Sequence, residues 1–105
     1  RIRMVTPGGV VTTIAGSGSG SSTDGIGTAA SFHAPTGIAL DGADNLYISD
    51  HETHSVRKVS AGNWVTTLAG GTAGYNDADH LYAAFSAPVS LAVGLQGQLV
   101  VSDKN

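Results

Sequence analysis

A repeat of about 53 residues constrains this chain more than any other feature of its sequence. Residues 1–16, RIRMVTPGGVVTTIAG, match residues 55–70, SVRKVSAGNWVTTLAG, at an offset of 54. Residues 32–50, FHAPTGIALDGADNLYISD, match residues 85–103, FSAPVSLAVGLQGQLVVSD, at an offset of 53. The chain of 105 residues therefore holds two copies of one structural unit, and such units bury their apolar surface against their neighbours.

Each repeat predicts four short strands. Apolar and β-branched runs are separated by clusters of Gly, Ser, Asn and Asp, and no stretch of ten or more residues keeps a helical period. We name the strands a to d in the order of the complete repeat. They are predicted at 37–40 and 90–93 (a), 46–49 and 99–102 (b), 2–5 and 56–59 (c), and 10–15 and 64–69 (d).

Repeats of 40 to 50 residues with four strands each are typical of an all-β propeller, in which blades stack around an axis. Residues 23–70, TDGIGTAASFHAPTGIALDGADNLYISDHETHSVRKVSAGNWVTTLAG, resemble the NHL repeat. The second copy departs from this pattern, with Ser90 in place of Gly37 and Gly94 in place of Asp41. The resemblance implies an NHL-type propeller, and six blades are common in that family.

The strand order along the chain is c-d, then a-b-c-d, then a-b. We therefore expect a half blade at 1–16, a full blade at 35–70 and a half blade at 88–103. The two halves are complementary, so copies can join head to tail into a closed ring. A homotrimer with six blades is the expected form; a dimer, a tetramer and a segment of a longer propeller are the alternatives. The residues expected at the joint are Ile2, Met4, Leu99, Val100, Val101 and Asp103.

Composition excludes several partners. Five basic residues against eight acidic ones give a net charge of −3, which argues against nucleic-acid binding. No window holds the roughly 18 consecutive apolar residues of a membrane helix. The absence of cysteine and of a recognisable signal peptide suggests a reducing, cytoplasmic location.

The histidines are the candidates for metal chemistry. All lie in b–c or d–a loops, which share one face of a propeller, and carboxylates gather on the same face. A His-x-x-His spacing beside carboxylates can bind zinc, and zinc-dependent lyases occur on NHL-like propellers, but a loop does not fix the two imidazoles as a helix does. We therefore expect no metal and no cofactor. The weak candidates are His33, His51, His54 and His80.

Two further features are expected to be structural. The Gly-rich stretch 15–27 lacks the Lys-Ser/Thr ending of a phosphate loop, so it is predicted to be a flexible connector, and Asp24 alone is not a calcium site. The aromatic residues Phe32, Phe85 and Trp64 are predicted to pack between blades.

Two charged residues recur once per repeat. Asp50 and Asp103 are expected to anchor the b–c turn through backbone hydrogen bonds. Arg3 and Arg57 are expected to bridge blades.

The function favoured by the sequence is a self-assembling scaffold without catalysis, which binds through its loops and central channel. Its expected partners are its own copies and an unidentified protein or small ligand. The alternative is a metal-dependent lyase or lactonase that uses the His- and Asp-rich face.

Overall fold

The computed structural model of the chain describes residues 1–70, 88–94 and 98–103. This part of the chain is all-β, with one short 3₁₀ helix at Gly27–Ala29. The strands are β1 (Ile2–Val5), β2 (Val11–Ala15), β3 (Gly25–Ile26), β4 (Pro35–Leu40), β5 (Leu46–Asp50), β6 (Ser55–Ser60), β7 (Trp64–Gly70), β8 (Pro88–Val93) and β9 (Leu99–Asp103).

The centre of the molecule is one four-stranded antiparallel blade, β4-β5-β6-β7, in which each strand pairs with the next along the chain. These strands are a, b, c and d of the complete repeat, and each lies within two residues of its predicted bounds. The two-residue strand β3 adds to the outer edge at β7, with Ile26 opposite Trp64. The sequence pattern did not predict β3, since it lies in the Gly-rich connector.

Two hairpins flank the central blade. The β1–β2 hairpin holds the predicted strands c and d of the first repeat, and the β8–β9 hairpin holds strands a and b of the second. In the described part of the chain, each hairpin is a separate two-stranded sheet. The predicted order of c-d, a-b-c-d and a-b is therefore the order of the strands in the structure.

The hairpins lie on opposite faces of the central blade. Side chains alternate along a strand, so Leu46, Ile48 and Val59 share one face, which we call the first face, while Tyr47 and Val56 share the second face. The β1–β2 hairpin packs on the first face. The β8–β9 hairpin packs on the second face, against β4 and β5.

The hydrophobic core lies between the β1–β2 hairpin and the first face of the blade. Burial of apolar area there stabilises the fold by roughly 25 cal/mol for each Å² removed from water. The buried members of this core are Ile2, Ala15, Ala30, Phe32, Ile48, Val59 and Val65, with Ile14 and Leu46 packed against them.

Glycine is required where strand d ends. Gly16 and Gly70 hold equivalent positions in the two repeats, and both have positive φ, +100° and +81°. A Cβ on Gly16 would also lie 2.9 Å from the Cα of Arg1. Both the backbone conformation and the close approach therefore exclude a larger residue.

Phe32 is buried in the core as expected, whereas Trp64 is 52% exposed in the single chain. Trp64 pairs with Ile26 at the outer edge of the blade, and its packing between blades stays a prediction. The third aromatic residue, Phe85, lies outside the described residues. The stretch 15–27 is not a loose connector, since it contains β3 and begins the 3₁₀ helix.

Among the described residues, no helix is long and apolar enough to cross a membrane.

Candidate functional site

Asp50 ends β5 and is fully buried. Its carboxylate accepts the backbone N–H of His33 at 2.8 Å, of Ala34 at 3.1 Å and of Thr53 at 3.4 Å. The first two bonds fasten the chain where it enters β4, and the third fastens the β5–β6 turn. Asp50 therefore anchors the β5–β6 turn as predicted, but its two shorter hydrogen bonds go to the residues that precede β4.

Arg57 on β6 is fully buried on the first face, with its guanidinium 5.0 Å from the centre of the Phe32 ring. Nη1 donates to the hydroxyl of Ser22 at 2.7 Å and to the carbonyl of Ser31 at 3.0 Å. Nη2 donates to the carbonyl of Thr23 at 2.9 Å and to Oδ1 of Asp24 at 2.7 Å. The arginine thus joins the blade to the connector between β2 and β4. Its predicted role as a bridge between neighbouring blades stays a prediction.

Asp24 is the partner that sequence reasoning missed. Besides Arg57, its carboxylate accepts the backbone N–H of Thr67 at 3.1 Å and the hydroxyl of Thr67 at 3.0 Å. All of these partners are 33 or more residues away in the chain. A lone Asp in a Gly- and Ser-rich stretch gives no local sign of such partners.

The β4–β5 turn contains a second carboxylate cluster. Asp41 accepts hydrogen bonds from the side chain of Asn45 at 2.9 Å and the hydroxyl of Tyr47 at 2.8 Å, and from the backbone N–H groups of Ala43 and Asn45. These bonds hold the pKa of Asp41 well below its usual range, and the bond from the Asn45 side chain has the largest effect. The hydrogen bond that the Tyr47 hydroxyl donates to Asp41 raises the pKa of Tyr47.

The candidate metal ligands do not come together in the described structure. His33 is exposed, and the Nε2 of His51 lies 3.9 Å from Oε1 of Glu52. His54 stands in the β5–β6 turn with φ of +54°. Within residues 1–70, 88–94 and 98–103, no three His, Cys, Asp or Glu side chains could hold a metal ion together. His80 lies outside these ranges.

The edges of the two hairpins form the other candidate site. In the central blade, strand c (β6) pairs with b on one side and d on the other. In the described structure, the c strand of the first hairpin (β1) pairs with β2 alone, and the b strand of the second (β9) pairs with β8 alone. An open strand edge presents unpaired N–H and C=O groups to any strand that fits it.

An apolar groove runs beside each open edge. The β1 groove, of about 450 Å³, lies between β1 and the first face of the blade and is lined by Met4, Ile38, Leu40 and Leu46 among others. The β9 groove, of about 300 Å³, lies between β9 and the second face. Its lining residues are Val56, Leu68, Ala69, Leu99 and Val101.

The structure gives the predicted joint residues different surroundings. Met4 and Val100 are 47% and 62% exposed, whereas Leu99 and Val101 are half-buried in the β9 groove. Ile2 is in the core, so only its backbone is available at the β1 edge. The backbone of Asp103 ends β9 opposite Pro88. The role of these residues in a joint stays a prediction.

A comparison with protein families matches residues 32–59 to the NHL repeat. These residues contain β4, β5 and most of β6, together with the Asp50 and Arg57 anchors described above. This chain carries an NHL repeat.

Solved structures of propeller-like architecture share the fold of this chain. A protein of unknown function from Bacteroides thetaiotaomicron matches 96% of this chain, with a TM-score of 0.89 and 26% identity. An auxiliary nutrient binding protein from the same organism matches 90%, with a TM-score of 0.76 and 27% identity. A further auxiliary nutrient binding protein, from Bacteroides ovatus, is 23% identical with a TM-score of 0.74 over 96% of this chain, a likeness of fold alone.

A curated relative is the Protein SUPPRESSOR OF QUENCHING 1, chloroplastic, of Arabidopsis thaliana, which is 33% identical over 84 residues. The match covers 78% of this chain but only 8% of that protein. The chain likewise spans 26% of each Bacteroides thetaiotaomicron structure and 29% of the Bacteroides ovatus one. This chain is therefore similar to a small part of each of these larger proteins.

Proposed function

We propose that this NHL chain is a self-assembling unit of a β-propeller that acts as a binding scaffold and has no catalysis of its own. The observation that carries the proposal is the pair of open edges on complementary strands. The open edge of β1, a c strand, fits a b strand, and the open edge of β9, a b strand, fits a c strand. The β9 strand of one copy can therefore pair with the β1 strand of the next.

Head-to-tail joining of this kind gives a ring when the rotation closes. Each copy contributes the strands of two blades, so closed rings have an even number of blades. We propose a homotrimer with six blades; a dimer and a tetramer would have four and eight.

The scaffold would bind its partner through the loops at one face and through the central channel. Ligand sites commonly lie where several elements meet around a concave surface. Similarity to the auxiliary nutrient binding protein from Bacteroides thetaiotaomicron supports a small molecule as the bound partner. The net charge of −3 disfavours polyanions.

Substitution at the β9 edge tests the assembly. Val100→Asp places a charge where two copies would meet, and burial of an unpaired charge is strongly unfavourable. We expect this variant to elute as a monomer that unfolds or aggregates, as measured by size exclusion and circular dichroism. Val10→Asp is the matched control, because Val10 is exposed and lies outside both open edges. A well-folded monomer of Val100→Asp would contradict the proposal.

Metal analysis tests the absence of catalysis. We expect no zinc or calcium to remain with the protein at a stoichiometric level after dialysis. A retained equivalent would contradict a scaffold role and favour a metal-dependent enzyme.

A further inference from the structure

The two hairpins repeat the strand registers of the central blade residue for residue. In β1–β2, Arg3 lies opposite Thr13 and Met4 opposite Thr12, as Arg57 lies opposite Thr67 and Lys58 opposite Thr66 in β6–β7. The break in register falls at the same step, between Ile2 and Arg3 in the hairpin and between Val56 and Arg57 in the blade. The β1–β2 hairpin therefore has the pairing of the outer half of a blade.

The β8–β9 hairpin in turn matches the inner half. Ala92 lies opposite Val100 and Val93 opposite Leu99, as Ala39 lies opposite Tyr47 and Leu40 opposite Leu46 in β4–β5. The register breaks after the proline in both cases, at Pro88 and at Pro35. An outer half and an inner half of the same blade geometry are thus present in one chain.

These halves cannot join within one chain, because the central blade stands between them. The β1–β2 hairpin packs on the first face, in the core with Ile48 and Val59. The β9 strand lies on the second face beside Val56. A joint between β9 and β1 therefore needs a second copy.

We propose that β9 of one copy pairs with β1 of the next in a single register, which places Val100 opposite Met4. This inference rests on the proposed function. The register follows from β5–β6, where Tyr47 lies opposite Lys58 and Leu46 opposite Val59. The repeat offsets of 53 and 54 carry Tyr47 to Val100 and Lys58 to Met4.

The exposed apolar side chains agree with this register. Val100 corresponds to Tyr47, so it projects from the second face of its hairpin, and in the joined blade that face covers the β1 groove of the next copy. Ile38 and Leu40 in this groove are 55% and 57% exposed in the single chain. Removal of such apolar area from water is the driving force for most association between proteins.

The β9 groove receives the opposite side of the same joint. Val5 and Val11 lie opposite each other in the β1–β2 hairpin, and both are exposed. They correspond to Val59 and Val65, which project from the first face. In the joined blade they cover the second face of the neighbouring copy at Val56 and Leu68, so one register fills both grooves.

The way in which the blades stack supports a second copy of the chain as the occupant of the β1 groove. The inner strands β8–β9 already pack on the second face of β4 and β5 within one chain. The β1 groove is bounded by the first face of β4, the side against which the inner strands of the preceding blade would pack. A copy of β8–β9 placed there continues the stack in the same direction.

Disulfide crosslinking tests the register, because the natural chain contains no cysteine. We would combine Met4→Cys with Val100→Cys, and separately Val5→Cys with Leu99→Cys. Adjacent pairs in an antiparallel ladder alternate between close and wide spacing, so one of these pairs has the closer Cβ atoms. We expect at least one to convert most of the oligomer, under mild oxidation, to bands of two and three chains on a non-reducing gel.

Two controls separate this register from others. Val5→Cys with Val100→Cys pairs residues of opposite faces, as a slip of one residue would require, and is expected not to crosslink. Val10→Cys with Val100→Cys reports random collision. Crosslinking of a control pair as strongly as of an in-register pair would overturn the register.

The outcomes also distinguish the register from the proposed function. An oligomer in which neither in-register pair crosslinks overturns the register and leaves the assembly standing. A folded monomer, with no crosslinking of any pair, overturns both. In that case the open edges fit flanking strands of a longer chain and not a second copy.

Discussion

Nη2 of Arg57 lies 2.7 Å from Oδ1 of Asp24, and the same carboxylate accepts both the backbone N–H and the hydroxyl of Thr67. Arg57 is on β6, Thr67 is opposite it on β7, and Asp24 directly precedes β3. One carboxylate therefore ties three neighbouring segments at the outer edge of the central blade together. The buried guanidinium gives the Gly-rich segment a fixed path across the blade.

Loss of this guanidinium should destabilise the fold. Arg57→Met removes the donors that Ser22, Asp24 and the carbonyls of Thr23 and Ser31 share, and leaves those acceptors less well bonded. We expect the free energy of unfolding to fall by about 2–3 kcal/mol, because buried hydrogen bonds are lost. The loss is limited because the Asp24 side chain is half exposed and can hydrogen-bond to water instead. Urea titration at a fixed protein concentration measures the change.

Lys58→Met is the matched control for that measurement. Lys58 is the next residue on β6, and its Nζ lies 5.9 Å from the centre of the Tyr47 ring. Because this contact is partly solvated, its loss should cost less than about 1 kcal/mol. Equal losses for the two variants would contradict a special role for Arg57.

The Asp50 carboxylate should be equally hard to replace. Asp50→Asn keeps one acceptor oxygen but puts an NH₂ group against the N–H of His33 or of Ala34. We expect a loss of about 2–3 kcal/mol in the free energy of unfolding, since a buried donor would stay unpaired. Asp44→Asn is the control: Asp44 is exposed with φ of +65°, a conformation that Asn tolerates well. An Asp50→Asn variant as stable as this control would refute the anchor.

Acid should weaken the β4–β5 turn through Asp41. Its pKa is lowered in the folded chain from the ordinary value of 3.8 by hydrogen bonds from Asn45 and Tyr47. The stability that this carboxylate contributes is therefore fully present above about pH 4, and is lost as the pH falls toward the folded pKa. We expect the free energy of unfolding to fall less between pH 5 and about pH 3 in Asp41→Asn than in the natural chain.

Asp44→Asn is again the control for this comparison, because it removes an exposed carboxylate from the same turn and leaves Asp41 in place. It should keep the pH dependence of the natural chain. If Asp41→Asn also keeps it, the hydrogen bonds at Asp41 do not contribute as argued.

Most of the strands were predictable from the sequence because their signals are local. Strands β4 and β5 alternate apolar and small residues, and they are separated by a turn that begins with Asp41 and Gly42. The matching sequence of β8 and β9 supports the same prediction. The strand order followed directly from the repeat.

The connector was not predictable, because its structure comes from distant contacts. Thr23 and Asp24 are held by Arg57, more than 30 residues away, and β3 forms only beside β7. Arg3 illustrates the same limit: it matches Arg57 in sequence and in register, yet it is exposed where Arg57 is buried. A sequence pattern does not tell which of two equivalent arginines is buried.

The most direct test of the central claim is the mass of the 105-residue chain in solution, measured by light scattering after size exclusion. The proposed ring predicts a single species close to three times the chain mass of 10.5 kDa, unchanged on dilution through the micromolar range. A stable, folded monomer of 10.5 kDa would contradict assembly through the open edges of β1 and β9.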